Sequence, residues 1–517
     1  MSRILKFLVP AFFVLSAAHA GAQEKLPDSV AEKLEALSGL PSNLAALQLG
    51  ITNIQGKPTD PSPSGPPGNA QSPKLRDVAI ADTAANENET NVVANPVDKK
   101  YLVASSHRYP TFPIRCVAYA SSDGGKSWSA GVPMQQLSPS HDCSDPVLAY
   151  APDGSRVYMA YMDIFGGTWD ILVSHSDDNG VTWSAPVIAL QGNPAAFIYD
   201  KPWIATHSFD ASQSALVYVT ATRFSVVSSP DHIAFSRSTD GGLTFNSASP
   251  TLFDSASAPV VVQGSHPAAG PGSDVVVAWY NSGADGWLNG GFQIKVAHSS
   301  DNGATFDPPV IAAAESCCEL PFWLGPSAFY HRWWGGMFPA AAIDGKGGAH
   351  IAYAFTPVNQ NTAAGRSSTE SGDIRYITSS SAPYTVWSAP LTVNDDGLLR
   401  AQGFPAIAAR EDGTVWLSWE DHRLSPAVAT AFPNSSNLFY DNFVARKAPG
   451  QNTFFTNLRA SDRSSLSQKT FIGDYTGIAV NATTTYAVWT DRRNRTNILD
   501  SNNDVFGSRV IAGGGTP

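Results

Sequence analysis

The sequence predicts an all-β fold built by repeating one supersecondary unit, and three observations predict it. An octet with the pattern Ser, any, Asp, any, Gly, any, Ser or Thr, then Trp or Phe begins at Ser121, Ser176, Ser238 and Ser299. Its copies stand roughly 60 residues apart, a period that marks repeat architectures. From Leu75 onward the chain alternates short Val-, Tyr- and Trp-rich runs with Gly, Pro, Asn and Asp clusters, the pattern of strands and turns.

Each octet lies between two strand-like runs and reads as a hairpin connection. Its Asp (Asp123, Asp178, Asp240, Asp301) can accept hydrogen bonds from backbone N–H groups a few residues on. The Gly two residues later can adopt positive φ without a Cβ clash. The closing aromatic opens the next strand and can bury itself against a neighbouring unit. These four Asp residues are therefore read as structural.

Beyond the octets, seven short runs open the units, often around a Pro: Glu89 to Val93, Ser144 to Leu148, Asp200 to Ile204, Ser265 to Ala269, Met337 to Ala341, Gly403 to Ile407 and Asp474 to Ile478. A second strand follows each, from Tyr101–Ala104 in the first unit to Tyr486–Trp489 in the last. The last unit is one strand short. Arg76 to Ala81, upstream of the first unit, can supply that strand and close a ring, which removes exposed sheet edges. The octets resemble the Asp-box, or BNR repeat, of sialidase-like β-propellers. With the seven openings, this gives a seven-bladed β-propeller over residues 75–512. The resemblance to sialidases leaves six blades as the alternative.

Ahead of the repeats, Arg3 and Lys6 precede the apolar run Leu8 to Leu15, and Ala18-His19-Ala20-Gly21-Ala22 offers small residues for cleavage. Residues 1–22 read as a secretory signal peptide cut after Ala20 or Ala22, and the mature chain as secreted or periplasmic. Residues 23–56 carry Val30, Leu34, Leu37 and Leu40 at helical spacing and read as a short helical segment. Residues 57–74, rich in Pro, Gly and Ser, read as a linker. No later stretch is apolar enough to span a membrane. The net charge of −11 and pI of about 5.4 argue against a nucleic-acid partner.

In a ring of repeats, equivalent positions are neighbours in space. The residues before the opening Pro positions form a candidate ring at one mouth: Glu89, Asp145, Asp200, Lys201, His266, Phe338, Phe404, Asp474 and Tyr475. Carboxylates, a Lys, a His and a Tyr converging there can bind sugars or do acid–base work. Asp145, Asp200 and Tyr475 are the catalytic candidates, with Asp145 and Asp200 as the first carboxylate pair. Lys201, His266 and Asp474 are candidates for binding substrate. So are Arg423 and Arg492, from the related motifs Trp419-Glu420-Asp421-His422-Arg423 and Trp489-Thr490-Asp491-Arg492-Arg493. Trp323, Trp333 and Trp334 lie in an aromatic insertion after the fourth octet and can stack on sugar faces.

The family resemblance implies a Tyr nucleophile activated by a Glu, an Asp acid/base and an Arg cluster that clamps the sialic acid carboxylate. The family's first Arg stands in an Arg-Ile-Pro motif opening the first blade, where this chain has Glu89-Thr90-Asn91. The sugar is therefore not read as sialic acid in particular, and Arg423, Arg492 and Tyr475 are not given the family's roles.

Cys116 and Cys143 can bridge the first unit to the start of the second. The adjacent Cys317 and Cys318 can form a vicinal disulfide, stay reduced or pair elsewhere. With His331 they match no common zinc spacing. No metal and no cofactor is expected. Two functions remain: an exported glycoside hydrolase of exo-sialidase-like type, or a propeller that binds carbohydrate or protein without catalysis. The expected partner is a glycan or glycoconjugate.

Overall fold

A computed structural model of the chain describes residues 70–71, 77–109, 113–207, 215–227, 229–257, 259–284, 291–316, 338–356, 372–397, 400–425, 439–466, 472–494 and 503–510. They form seven sheets arranged as seven blades, antiparallel apart from the short pair Ala70–Gln71 with Leu458–Arg459 in blade 6, with no helix among the described residues. This settles the blade number against the six-bladed alternative. The expected signal peptide, helical segment and most of the linker lie outside the described residues.

Blade 1 consists of Asn86–Ala94, Leu102–Tyr109, Arg115–Ser121 and Val132–Pro133. Blade 2 runs from Asp142–Tyr150 to Val187–Leu190, blade 3 from Phe197–His207 to Thr251–Ala256, and blade 4 from Val262–Ala269 to Val310–Glu315. Blade 5 opens with Ala340–Ile343, blade 6 with Gln402–Ala409 and blade 7 with Gly477–Val480. Blade 7 continues through Thr485–Asp491 to Asp504–Val510, and its outer strand is Val78–Ala81 from the start of the chain. The closing strand is the one expected from the sequence.

Second strands such as Val275–Asn281 and Val415–Asp421 are buried at every residue, so they do not show the apolar–polar alternation of a half-exposed strand. Each of seven apolar clusters joins two neighbouring blades, so the core lies between sheets around the whole ring.

The octets behave as folding devices. Asp123 accepts from the N–H groups of Lys126 and Ser127 at 2.9 and 3.0 Å and from the Ser127 hydroxyl at 2.6 Å. The octets at Asp178, Asp240 and Asp301 repeat the hydroxyl bond at 2.5 to 2.6 Å. Gly125 has φ +82°, and a Cβ there would lie 2.2 Å from the ring of Tyr486 in the neighbouring blade. Trp128 meets the same Tyr486 edge-on at 5.6 Å. The octet thus fastens one blade to the blade before it. Cys116 and Cys143 are disulfide-bonded and join blade 1 to the opening of blade 2. Cys317 and Cys318 lie outside the described residues.

Candidate functional site

The inner strands carry the site through a repeated irregularity. In blades 1, 2, 3, 4 and 6 the pairing of the first strand with the second skips two residues: Glu89-Thr90, Asp145-Pro146, Lys201-Pro202, Gly264-Ser265 and Phe404-Pro405. The first residue of each pair has positive φ, between 54° and 66°. Such bulges re-aim one side chain and are enriched beside active sites. For a residue with a Cβ this backbone costs about 1–2 kcal/mol, so the packing around it must hold it there. By register, Phe338 and Tyr475 occupy the same place in blades 5 and 7. The ring of equivalent positions is therefore Glu89, Asp145, Lys201, Gly264, Phe338, Phe404 and Tyr475.

The fourth unit is out of register with its reading from the Pro positions. His266 before Pro267 is the ring residue in that reading, whereas Gly264 holds the place. A Gly accepts the left-handed backbone without a Pro beside it, so the Pro that marks other units is displaced here. Asp200 and Asp474 each precede the ring residue of their blade.

These groups form one electrostatic unit. The Lys201 ammonium lies 2.8 Å from Asp474 and 3.5 Å from the centre of the Tyr475 ring. Phe338 and Trp203 flank it at 5.7 and 6.0 Å. Glu89, fully buried, accepts from the Asp145 backbone N–H at 3.0 Å and lies 2.6 Å from His107 Nδ1. Ser144 donates to Asp145 at 2.7 Å, and Gln263 donates to Asp200 at 3.3 Å.

Burial and the Glu89 charge push the Asp145 carboxyl up to about 7, against the pull of Lys201. Burial and the Asp145 charge do the same to Asp200, also to about 7. Burial raises Asp474 to about 7 although Lys201 sits beside it. Burial and the surrounding carboxylates push the Tyr475 hydroxyl well above its usual value. His266 is pushed down to about 3 by burial.

Lys201, Trp203, Ser265, His266, Phe404 and Tyr475 are among the walls of a cavity of about 20 Å³, together with Phe338 and Asp474. That is room for about one water. Asp145 and Asp200 are not among its walls. The sequence missed Trp203, Ser265 and His107. Trp203, just past the opening Pro, was the most visible of the three.

The other candidates go elsewhere. Arg423 is buried, and its guanidinium donates to Asp421, Asp395 and Asn457 at 2.9, 2.6 and 3.0 Å. Asp421 also takes the indole N–H of Trp419 at 2.7 Å. In blade 7 the same arrangement is made by Trp489, Asp491 and Arg493, with Arg493 also bonded to Asp462 and Asp77. Arg493, not Arg492, is thus the counterpart of Arg423. Arg492 is fully buried, and its backbone N–H donates to Ser465. Neither Arg423 nor Arg492 lines the axial cavity. Trp323, Trp333 and Trp334 lie outside the described residues. Among the described residues no group of three or more His, Cys, Asp or Glu could hold a metal ion.

No family model and no curated protein matches the chain. Solved structures with similarity include a Penicillium chrysogenum α-L-arabinanase complexed with arabinobiose, 11% identical, covering 84% of this chain and 97% of that one at a TM-score of 0.44. The phage phi92 endosialidase is 9% identical and covers 86% and 72% at 0.45. An ulvan lyase from a new polysaccharide lyase family is 11% identical and covers 83% and 95% at 0.46. With TM-scores this low, the fold assignment rests on the seven sheets themselves.

Proposed function

We propose that the chain is a carbohydrate-active propeller of the glycoside hydrolase kind, working at the axial cluster. The observation that carries this reading is the convergence of Asp145, Asp200 and Asp474, each raised to about 7, around Lys201 and Tyr475. A carboxyl poised near neutrality can hand a proton to a leaving glycosidic oxygen, while an ionised neighbour steadies the positive charge that develops on the sugar. The strained backbone at Asp145 and Lys201 fits such a role. The cavity is too small for a sugar ring. The ring would rest over Trp203, Phe338 and Phe404, with one substituent or the leaving oxygen entering. Residues 1–22 would export the protein, which the N-terminal sequence of the mature chain would check.

The test is hydrolysis of a panel of fluorogenic glycosides by the mature protein and by the Asp145→Asn and Asp200→Asn variants. Turnover reduced about 100-fold or more by either change supports the reading, since loss of an acid–base group typically costs that much. Turnover that neither variant alters would place the chemistry elsewhere. The absence of Asp145 and Asp200 from the cavity wall favours a second reading, a propeller that binds glycans without cleaving them. No turnover on any glycoside, with glycan binding retained, would select it.

A further inference from the structure

Three residues of the cavity wall each carry a buried polar atom without a hydrogen-bond partner: Ser265 Oγ, His266 Nδ1 and the Tyr475 hydroxyl. Leaving such atoms unmade costs about 1–3 kcal/mol each, so a built cavity with three of them is shaped for an occupant. Its size limits that occupant to a group of about one heavy atom. The three atoms are all able to accept, the His266 ring being held neutral by burial. An ammonium has three N–H donors and no acceptor.

The surroundings agree in sign. Asp145, Asp200 and Asp474 act on Lys201 as the buried cation beside them, and Glu89, which contacts His107, adds a further carboxyl next to Asp145. Lys201 is answered by Asp474, which leaves a surplus of acid. Lys201 also shows what the site accommodates, since its ammonium lies over an aromatic face with a carboxylate at 2.8 Å. An acidic sugar would bring further negative charge to this surplus, and the Lys or Arg side chain in the cavity wall among the described residues, Lys201, is already paired with Asp474.

The geometry points to a glycan bearing a free amine, an amino sugar that is not N-acetylated, as the ligand of the axial site, with its ammonium seated on Ser265, His266 and Tyr475. The inference rests on the carbohydrate-active reading above and names the substrate class for that same site. An N-acetyl group is too large for the cavity and lacks the three donors.

The test is calorimetric titration of the mature protein with three probes: a glucosamine tetrasaccharide, its fully N-acetylated form and a sialylated oligosaccharide of similar size. The amine form is expected to bind at least about tenfold more tightly than the acetylated one, as one misfitted buried group commonly costs that much. The sialylated probe is expected not to bind. Tyr475→Phe and Ser265→Ala should each weaken the amine form roughly fivefold and so narrow its advantage over the acetylated form. Equal or tighter binding of the acetylated or sialylated probe overturns the amine assignment, and needs no variant to fold. In that case turnover or binding of other glycans would leave the carbohydrate-active reading standing. Binding of none of the probes, with no turnover on the glycoside panel, overturns both.

Discussion

At Asp145 both the backbone and the side chain are held in costly states: φ is +55°, and the carboxyl is 2% exposed beside another carboxylate. The stability consequence has a definite sign. A carboxyl with a folded value of about 7 and an unfolded value near 4 keeps its proton longer in the folded chain. Its contribution is therefore favourable at acid pH and is lost as pH rises from about 4 to about 7. Asp145→Asn should match the wild type in unfolding free energy near pH 4 and exceed it by a few kcal/mol at most at pH 8, measured by denaturant unfolding at both pH values. An advantage that shrinks toward high pH would contradict the buried, raised carboxyl. The octet carboxylates have the opposite sign. Hydrogen bonds from Thr305 and Ser299 overcome a small burial penalty and bring Asp301 down to about 2. Its contribution is present above about pH 4 and is lost as pH falls through 2. Asp301→Ala should cost about 1–2 kcal/mol at pH 7 through the lost local bonds.

At the scale of the strand and its turns, the two glycines of the first octet separate backbone strain from packing. Gly124 and Gly125 have φ of +79° and +82°. A Cβ on Gly124 finds its nearest atom 3.8 Å away, whereas one on Gly125 would overlap Tyr486. Gly124→Ala should cost about 1 kcal/mol, and Gly125→Ala at least twice that, read from denaturation midpoints. Equal costs would mean that the octet does not press on its neighbour. The same scale shows what was readable in the chain. The octet Asp residues, the closing strand and the disulfide follow from local pattern, because turn chemistry and strand alternation are written in neighbouring residues. The ring position was readable where a Pro marked it, at Asp145, Lys201, Phe338 and Phe404. It was lost in blade 4, where Gly264 makes the bulge unaided. Arg492 was taken for the partner of Arg423 because adjacent arginines cannot be told apart until the Asp491 turn selects Arg493. That Ser265, His107 and Trp203 gather at the axis was not legible, since it depends on how far each strand reaches past its bulge.

For the whole molecule, closure concentrates on Arg493. It binds Asp491 in its own blade, Asp462 near the end of blade 6 and Asp77 immediately before the closing strand. Burial raises Asp77 to about 8 against the pull of Arg493. Arg493→Ala leaves Asp77 and Asp491 without their cation, and should free Val78–Ala81 from Asp504–Val510. Limited proteolysis should then cut between residues 77 and 82 far faster than in the wild type. Unchanged protection would mean that the strand pairing alone closes the ring.

That same strand sets an order of events. Val78–Ala81 has no partner until Asp504–Val510 exists, more than 400 residues later in the chain. During synthesis it leaves the ribosome ahead of all six blades whose strands are read between it and its partner, and it is the last to be seated. The hairpins of the blades between can assemble from neighbours in sequence, but the circle joins only when both of its ends have emerged, so closing it must bring together strands more than 400 residues apart.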